Sequence, residues 1–94
     1  MRGDAESLRV IDCYAFRDCE SLPEIKIPAS VVKIGKGAFR RCTSLTSVTI
    51  PANVREVGDD IFRGCERLEK IFYPAGSDIE RQLSRGNGAE LIAI

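Results

Sequence analysis

Apolar and polar residues follow one pattern that returns every 23 residues along the chain. The middle copy runs from Ile34 to Pro51 and reads Ile-Gly-x-x-Ala-Phe-x-x-Cys-x-x-Leu-x-x-Val-x-Ile-Pro. Phe16 and Phe62 stand one period before and one period after Phe39, within the same frame. A fixed period of this length predicts a solenoid, in which successive turns of the chain stack directly on one another.

The period divides most of the chain into three repeats, which we name coil 1 (residues 8–30), coil 2 (31–53) and coil 3 (54–76). Each repeat has too few apolar residues to form a core alone, but stacking aligns them into a continuous one. Residues 1–7 lie outside the pattern, and we expect them to be a disordered N-terminal segment. They contain Arg2-Gly3-Asp4, for which a chance occurrence is a simpler explanation than an adhesive role.

Two extended segments are predicted in each repeat. The Leu-x-x-Ile-x-Ile segment alternates with a period of two, which is typical of a strand, and the proline that follows it ends the strand. A shorter extended piece ends at Gly35 in coil 2 and at Gly58 in coil 3, where we expect a sharp corner with positive φ. Between the two, Ala-Phe-x-x-Cys-x-x-Leu predicts one or two turns of α- or 3₁₀-helix.

Residues 77–94 depart from the repeat and are predicted to form a C-terminal cap. Ser77-Asp78-Ile79-Glu80 matches a capping box at the start of a helix, and Ile79 and Leu83 would share one face of it. Leu91–Ile94 then stands one period after the last strand of coil 3 and predicts a fourth strand.

No matching cap precedes coil 1, so its apolar residues and one sheet edge would be left open. Exposed edges and end faces of this kind pair readily with other chains. Two expectations follow: either earlier repeats precede Leu8, which we favour, or two copies of the chain associate at this end.

The frame from Ile34 to Pro51 resembles the BspA-type leucine-rich repeat of bacterial and protozoan surface proteins. The resemblance covers residues 8–76 and departs from the family pattern at Ile61 and Tyr73, among others. It implies an α/β repeat solenoid, a short right-handed leucine-rich-repeat stack with a parallel inner β-sheet and a C-terminal capping helix. It also implies a non-catalytic adhesion module, at a cell surface or secreted, that binds a protein or an extracellular-matrix component. The alternative is a structural spacer within a longer surface array, with no ligand of its own.

Charge and composition narrow the possible functions further. The 14 basic and 14 acidic residues cancel, which argues against nucleic acid as a partner. No apolar run reaches the ~18–20 residues that cross a bilayer, so no membrane insertion is expected, and the start of this chain carries no secretory signal. The chain has no histidine and no recognisable catalytic set, so we expect no enzyme activity, no cofactor and no metal site.

Cysteine and arginine each recur at one repeat position. Cys19, Cys42 and Cys65 would form a column with steps of ~4.8 Å, too spread for one Zn²⁺ and poorly oriented for disulfides, so they are predicted to be small buried hydrophobes. Cys13 lies off this column and is predicted to be exposed.

The arginines at one repeat position, Arg17, Arg40 and Arg63, would form a second column that could bind a polyanion such as a sulfated glycan. Pairing with nearby acids (Asp18, Glu20, Glu66) is the favoured alternative.

The candidate contact residues are those that alternation points away from the core on the long strands. Together they form the surface through which solenoids of this kind usually bind their partners. These residues are Glu24, Lys26, Ser47, Thr49, Lys70 and Phe72. An outward-facing Phe72 would be an anchor for a partner, unless the C-terminal helix folds over it.

Overall fold

The fold is described by a computed structural model that covers residues 8–83 and 86–94. Within these residues the chain forms seven short strands and one helical turn: β1 (Val10–Ile11), β2 (Glu24–Ile25), β3 (Lys33–Ile34), β4 (Ser47–Thr49), β5 (Glu56–Val57), β6 (Lys70–Tyr73), α1 (Glu80–Leu83) and β7 (Glu90–Ala93). The segment predicted to be disordered, residues 1–7, lies outside the described residues. No helix in the described part of the chain is long and apolar enough to cross a membrane.

Strands from successive coils pair in parallel and form two sheets. One sheet has the order β1-β3-β5 and the other has the order β2-β4-β6-β7. The registers pair Ile11 with Ile34, and Val48 with both Ile25 and Ile71. Partners in coils 1, 2 and 3 are therefore one sequence period apart, which confirms the predicted stacking and the parallel inner sheet.

The three repeat phenylalanines form a single column through the core. The ring centroids of Phe16 and Phe39 are 5.4 Å apart and those of Phe39 and Phe62 are 5.6 Å apart. The rings lie within 9° and 12° of parallel, so each pair is stacked. Phe39 and Phe62 are fully buried, whereas Phe16 keeps 38% of its surface exposed because no described residue covers the far side of coil 1.

The segment that links the two sheets is not the predicted α- or 3₁₀-helix. Its N–H groups alternate: those of Tyr14 and Phe16 donate to carbonyls of coil 2, while that of Ala15 donates back to Asp12 three residues earlier. This alternation is made possible by residues in the left-handed backbone conformation, which include Tyr14 (φ 58°) and Arg41 (φ 62°). A regular helix would use its N–H groups internally, whereas this segment uses half of them to join one coil to the next.

Gly35 and Gly58 are needed for close approach and do not have the predicted positive φ. A Cβ atom added to Gly35 would lie 2.5 Å from the backbone nitrogen of Cys13 in coil 1. A Cβ on Gly58 would overlap the backbone of Lys36 in coil 2 in the same way. Glycine at this repeat position therefore lets one coil lie directly against the backbone of the coil before it.

The C-terminal segment keeps its predicted strand but has less helix than expected and a shifted register. Helix α1 is a single turn, and the Ser77 hydroxyl donates to the Pro74 carbonyl (2.8 Å) instead of forming a capping box. Strand β7 confirms the fourth strand, but Leu91 pairs with Ile71 and not with the predicted Leu68. The last turn of the solenoid is therefore three residues shorter than the others.

The thiols follow the prediction in coils 2 and 3. Cys42 and Cys65 are buried, and their Sγ atoms approach the Phe16 and Phe39 carbonyl oxygens at 3.2 and 3.1 Å. The neighbouring Cys65 side chain, together with burial, raises the pKa of the Cys42 thiol. Cys19 is only half-buried because no further coil covers it among the described residues, and Cys13 is exposed as predicted.

We expect Gly35→Ala to destabilise the fold by about 1–3 kcal/mol, the usual cost of forcing extra atoms into a packed interior. Its new methyl group would meet backbone atoms, which cannot move aside without separating two coils. Urea unfolding followed by circular dichroism measures the change. Gly88→Ala is the matched control, since nothing lies within 4 Å of its added Cβ, and it should shift stability by less than about 0.5 kcal/mol. Equal effects of the two substitutions would contradict the close-approach explanation.

We expect the four thiols to react with Ellman's reagent in three stages at neutral pH. Cys13 should react first and Cys19 more slowly, since burial raises the pKa of Cys19 and lowers its thiolate fraction. Cys42 and Cys65 should react only when the protein unfolds. Mass spectrometry of quenched samples identifies each labelled thiol, and early labelling of Cys42 in folded protein would contradict this order.

Candidate binding surface

The inner surface is the outward face of the four-stranded sheet, and its side chains form two rows across the strands. In the first row, the registers align Glu24 with Ser47, Ser47 with Lys70 and Lys70 with Glu90. In the second row, Thr49 aligns with Phe72 and Phe72 with Ile92. Lys26 follows β2 at the repeat position of Thr49. The structure thus places all six predicted contact residues on one strand face or its continuation.

Two residues of this surface, Glu90 and Ile92, were not predicted. A full 23-residue period from coil 3 aligns Leu91 with Leu68, whereas the shorter last turn of the solenoid aligns it with Ile71. The alternation within Glu90–Ala93 was the available signal, since it places Leu91 towards the core and its neighbours on the opposite face. Ile92 matters most, because it lies directly beside Phe72.

Phe72 and Ile92 form an apolar pair on a surface that is otherwise polar. Both are half-buried, and neither belongs to the hydrophobic core or to the apolar residues packed against it. The alternative that the C-terminal helix folds over Phe72 finds no support, since Ile79 and Leu83 are buried in the core itself. The pair is therefore a partly exposed apolar patch held by two hydrogen-bonded strands.

The charged residues of the inner surface are distributed with alternating sign. Glu24 and Lys26 lie at the coil 1 end, and Lys70 and Glu90 lie at the other end, beside the apolar pair. All four are exposed, and none forms an ion pair with another part of the described chain. Their hydrogen-bonding capacity remains directed to solvent, where a partner could use it.

A cleft of about 420 Å³ lies where β2 and β4 end. Its lining comprises Glu24, Ile25, Lys26, Ile27, Pro28, Ala29, Thr49 and Pro51. Three predicted contact residues, Glu24, Lys26 and Thr49, thus border one concave region. The inner surface consequently offers a cleft bordered by charged and apolar residues at one end and an apolar pair at the other.

The arginine column lies on the linking turns, and two of its three members, Arg17 and Arg63, pair with acids. Arg17 pairs with Asp18 at 3.6 Å, and Arg63 pairs with Asp60 at 3.7 Å. Arg41 also reaches Asp18, at 3.4 Å. Pairing with a predicted acid is therefore confirmed for Asp18. Among the described residues Glu20 and Glu66 form no ion pair, and Arg63 pairs with Asp60 instead. Exposed pairs of this kind add little to stability, but they reduce the positive field that a polyanion would need.

The described residues contain no candidate metal-binding cluster. No cluster there brings together three or more His, Cys, Asp or Glu side chains in a way that could hold a metal ion. In the cysteine column, Cys42 and Cys65 donate to backbone carbonyls, and none of its three thiols forms a disulfide.

Comparison with known proteins agrees with this architecture. Residues 5–83 match the family model described as "BspA type Leucine rich repeat region (6 copies)". A leucine-rich repeat protein from Bacteroides ovatus is 33% identical with a TM-score of 0.78, and the match covers 93% of this chain and 23% of that one. A leucine rich cell surface protein from Faecalibacterium prausnitzii is 29% identical with a TM-score of 0.53, over 89% of this chain and 30% of that one.

The chain thus spans less than a third of the length of these two solved relatives. A search of curated proteins found no significant match. The family model, in contrast, covers most of the sequence and coincides with the coils seen in the structure. The chain therefore belongs to the BspA-type leucine-rich repeat family.

Proposed function

We propose that the inner surface binds a protein or an extracellular-matrix component, without catalysis, as part of a leucine-rich repeat protein at a bacterial cell surface. The observation that carries this proposal is the apolar pair of Phe72 and Ile92 on an otherwise polar sheet. The solved relative described as a cell surface protein supports the proposed location. The family, whose members are typically non-catalytic binding proteins, supports the proposed activity.

The energetics of the surface favour binding through few anchors. Its side chains project from strands that are fixed by hydrogen bonds, so a partner would order little additional backbone and the entropic cost of association is reduced. Phe72 and Ile92 would supply most of the affinity, since large apolar groups dominate interface energies. The polar contact residues Glu24, Lys26, Ser47, Thr49 and Lys70 would set orientation and selectivity.

We also propose that residues 77–94 act as a C-terminal cap on the stack. Ile79 and Leu83 support this role, because they are buried against the end of the core formed by coil 3. Such a cap would hold β6 and the Phe72 side chain in place from the C-terminal side. It would thereby make the binding surface rigid at its apolar end.

The proposal is tested with immobilised fibronectin, fibrinogen, laminin and collagen, measured by surface plasmon resonance. We expect the chain to bind at least one of them and the combined variant Lys26→Ala, Thr49→Ala and Phe72→Ala to weaken that binding at least tenfold. Tenfold corresponds to about 1.4 kcal/mol, which is within reach of a single aromatic anchor. Phe72→Ala alone should account for most of the loss.

The matched control is Lys36→Ala with Arg55→Ala, two exposed residues that follow or precede strands of the other sheet. It should change the affinity less than about twofold. Unchanged binding by the combined inner-surface variant would show that the contact surface lies elsewhere. Failure to bind any of the four proteins, together with no specific partner recovered from lysates, would favour the structural-spacer alternative.

A further inference from the structure

The side of coil 1 that faces away from coil 2, which we name the coil 1 face, is apolar and uncovered by described residues. Leu8 is 42% exposed and Phe16 is 38% exposed, although Val31 and Phe39 at the same repeat positions are fully buried in coil 2. Apolarity alone makes this face look suitable for a further coil. Two features of the backbone decide whether a coil could add there: the available hydrogen-bond donors and the space between coils.

The first feature is a missing hydrogen-bond donor at the start of the inner-sheet strand. In coil 2 the Thr46 N–H donates to the Pro23 carbonyl at 3.1 Å, and in coil 3 the Glu69 N–H donates to the Thr46 carbonyl at 2.8 Å. Each coil thus sends one N–H from this repeat position to the coil before it. The corresponding residue of coil 1 is Pro23, which has no N–H to donate.

The second feature is a side chain where close approach requires glycine. At this repeat position coils 2 and 3 have Gly35 and Gly58, whose added Cβ atoms would overlap the backbone of the preceding coil. Coil 1 has Asp12 there instead. In the same register, the Cβ of Asp12 would collide with the backbone of any coil stacked on the coil 1 face. Its carboxylate would also lose water on being covered.

We propose that Asp12 and Pro23 close the coil 1 face to a further coil in the register that joins coils 1, 2 and 3. The two residues act on different sheets, since Asp12 follows β1 and Pro23 precedes β2. An added coil would therefore clash beside one of its strands and lack a hydrogen bond at the start of the other. The proposal concerns this register: chain that precedes Leu8 can run past the coil 1 face but cannot continue the solenoid across it.

The same two residues protect the chain against head-to-tail assembly. Strand β7 forms the other edge of the inner sheet, and its pairing with β2 of a second copy would repeat without closing and generate filaments. Such an assembly needs the register of the native stack at the coil 1 face. Asp12 and Pro23 remove that register while leaving the three coils of each molecule intact.

The test inserts a second copy of residues 31–53 directly before Leu8, in the wild-type chain and in the Asp12→Gly, Pro23→Thr variant. In the variant background the inserted coil should stack, raising the urea m-value by roughly a quarter, in line with the added buried surface. Its backbone amides should also become protected from hydrogen exchange. In the wild-type background the m-value should stay at that of the uninserted chain and the inserted amides should exchange freely.

The uninserted Asp12→Gly, Pro23→Thr chain is the control, and its m-value should match that of the wild type. Hydrogen exchange in coils 2 and 3 reports separately that each inserted protein retains the native stack. If the inserted coil were protected equally in both backgrounds, or in neither, Asp12 and Pro23 would not control stacking and the proposal would be rejected. Wild-type chains that form linear oligomers in light scattering would also reject it.

Discussion

Backbone hydrogen bonds between successive coils are the interaction on which the rest of the structure depends. They join the paired strands, and they also join the linking turns, where the N–H groups of Phe16 and Phe39 donate to the Ala38 and Ile61 carbonyls. Every part of a coil is consequently fixed in register with the next. Side chains at one repeat position then form columns, among them the stacked phenylalanines, the buried thiols and the rows of the inner surface.

The features that could be predicted from the sequence are those set by the period itself. Equal spacing fixed which residues align, so the parallel sheet, the phenylalanine column and the burial of Cys42 followed from it. The conformation of the linking turns could not be predicted in this way. Tyr14 and Arg41 adopt positive φ although neither is a residue type that signals it. Hydrogen bonds from neighbouring coils supply the free energy that holds them there.

The C-terminal end shows where reasoning from a period fails. The register of β7 depends on the length of the return segment, which places Ile79 and Leu83 in the core. Periodicity therefore misplaced Leu91 by three residues and left Ile92 out of the candidate surface. The six predicted contact residues lie in coils 1, 2 and 3, where each strand is a full period from the next, and the structure brings them to one face. Local alternation within β7 is independent of that length, and it is the more reliable guide at the end of a repeat array.

Different repeat positions in the stack are under different physical constraints. Residues such as Gly35 and Cys42 lie between coils, so the approach of two backbones restricts what can occupy their positions. Residues such as Ser47 and Phe72 project from the inner surface, away from the core, so under the proposed function their identities are free to vary with the partner. At the end of the stack the restriction between coils disappears, and Asp12 can stand where glycine is otherwise required. The selectivity of the proposed binding surface and the extent of stacking can therefore change independently of the core, because both depend on residues that the core does not constrain.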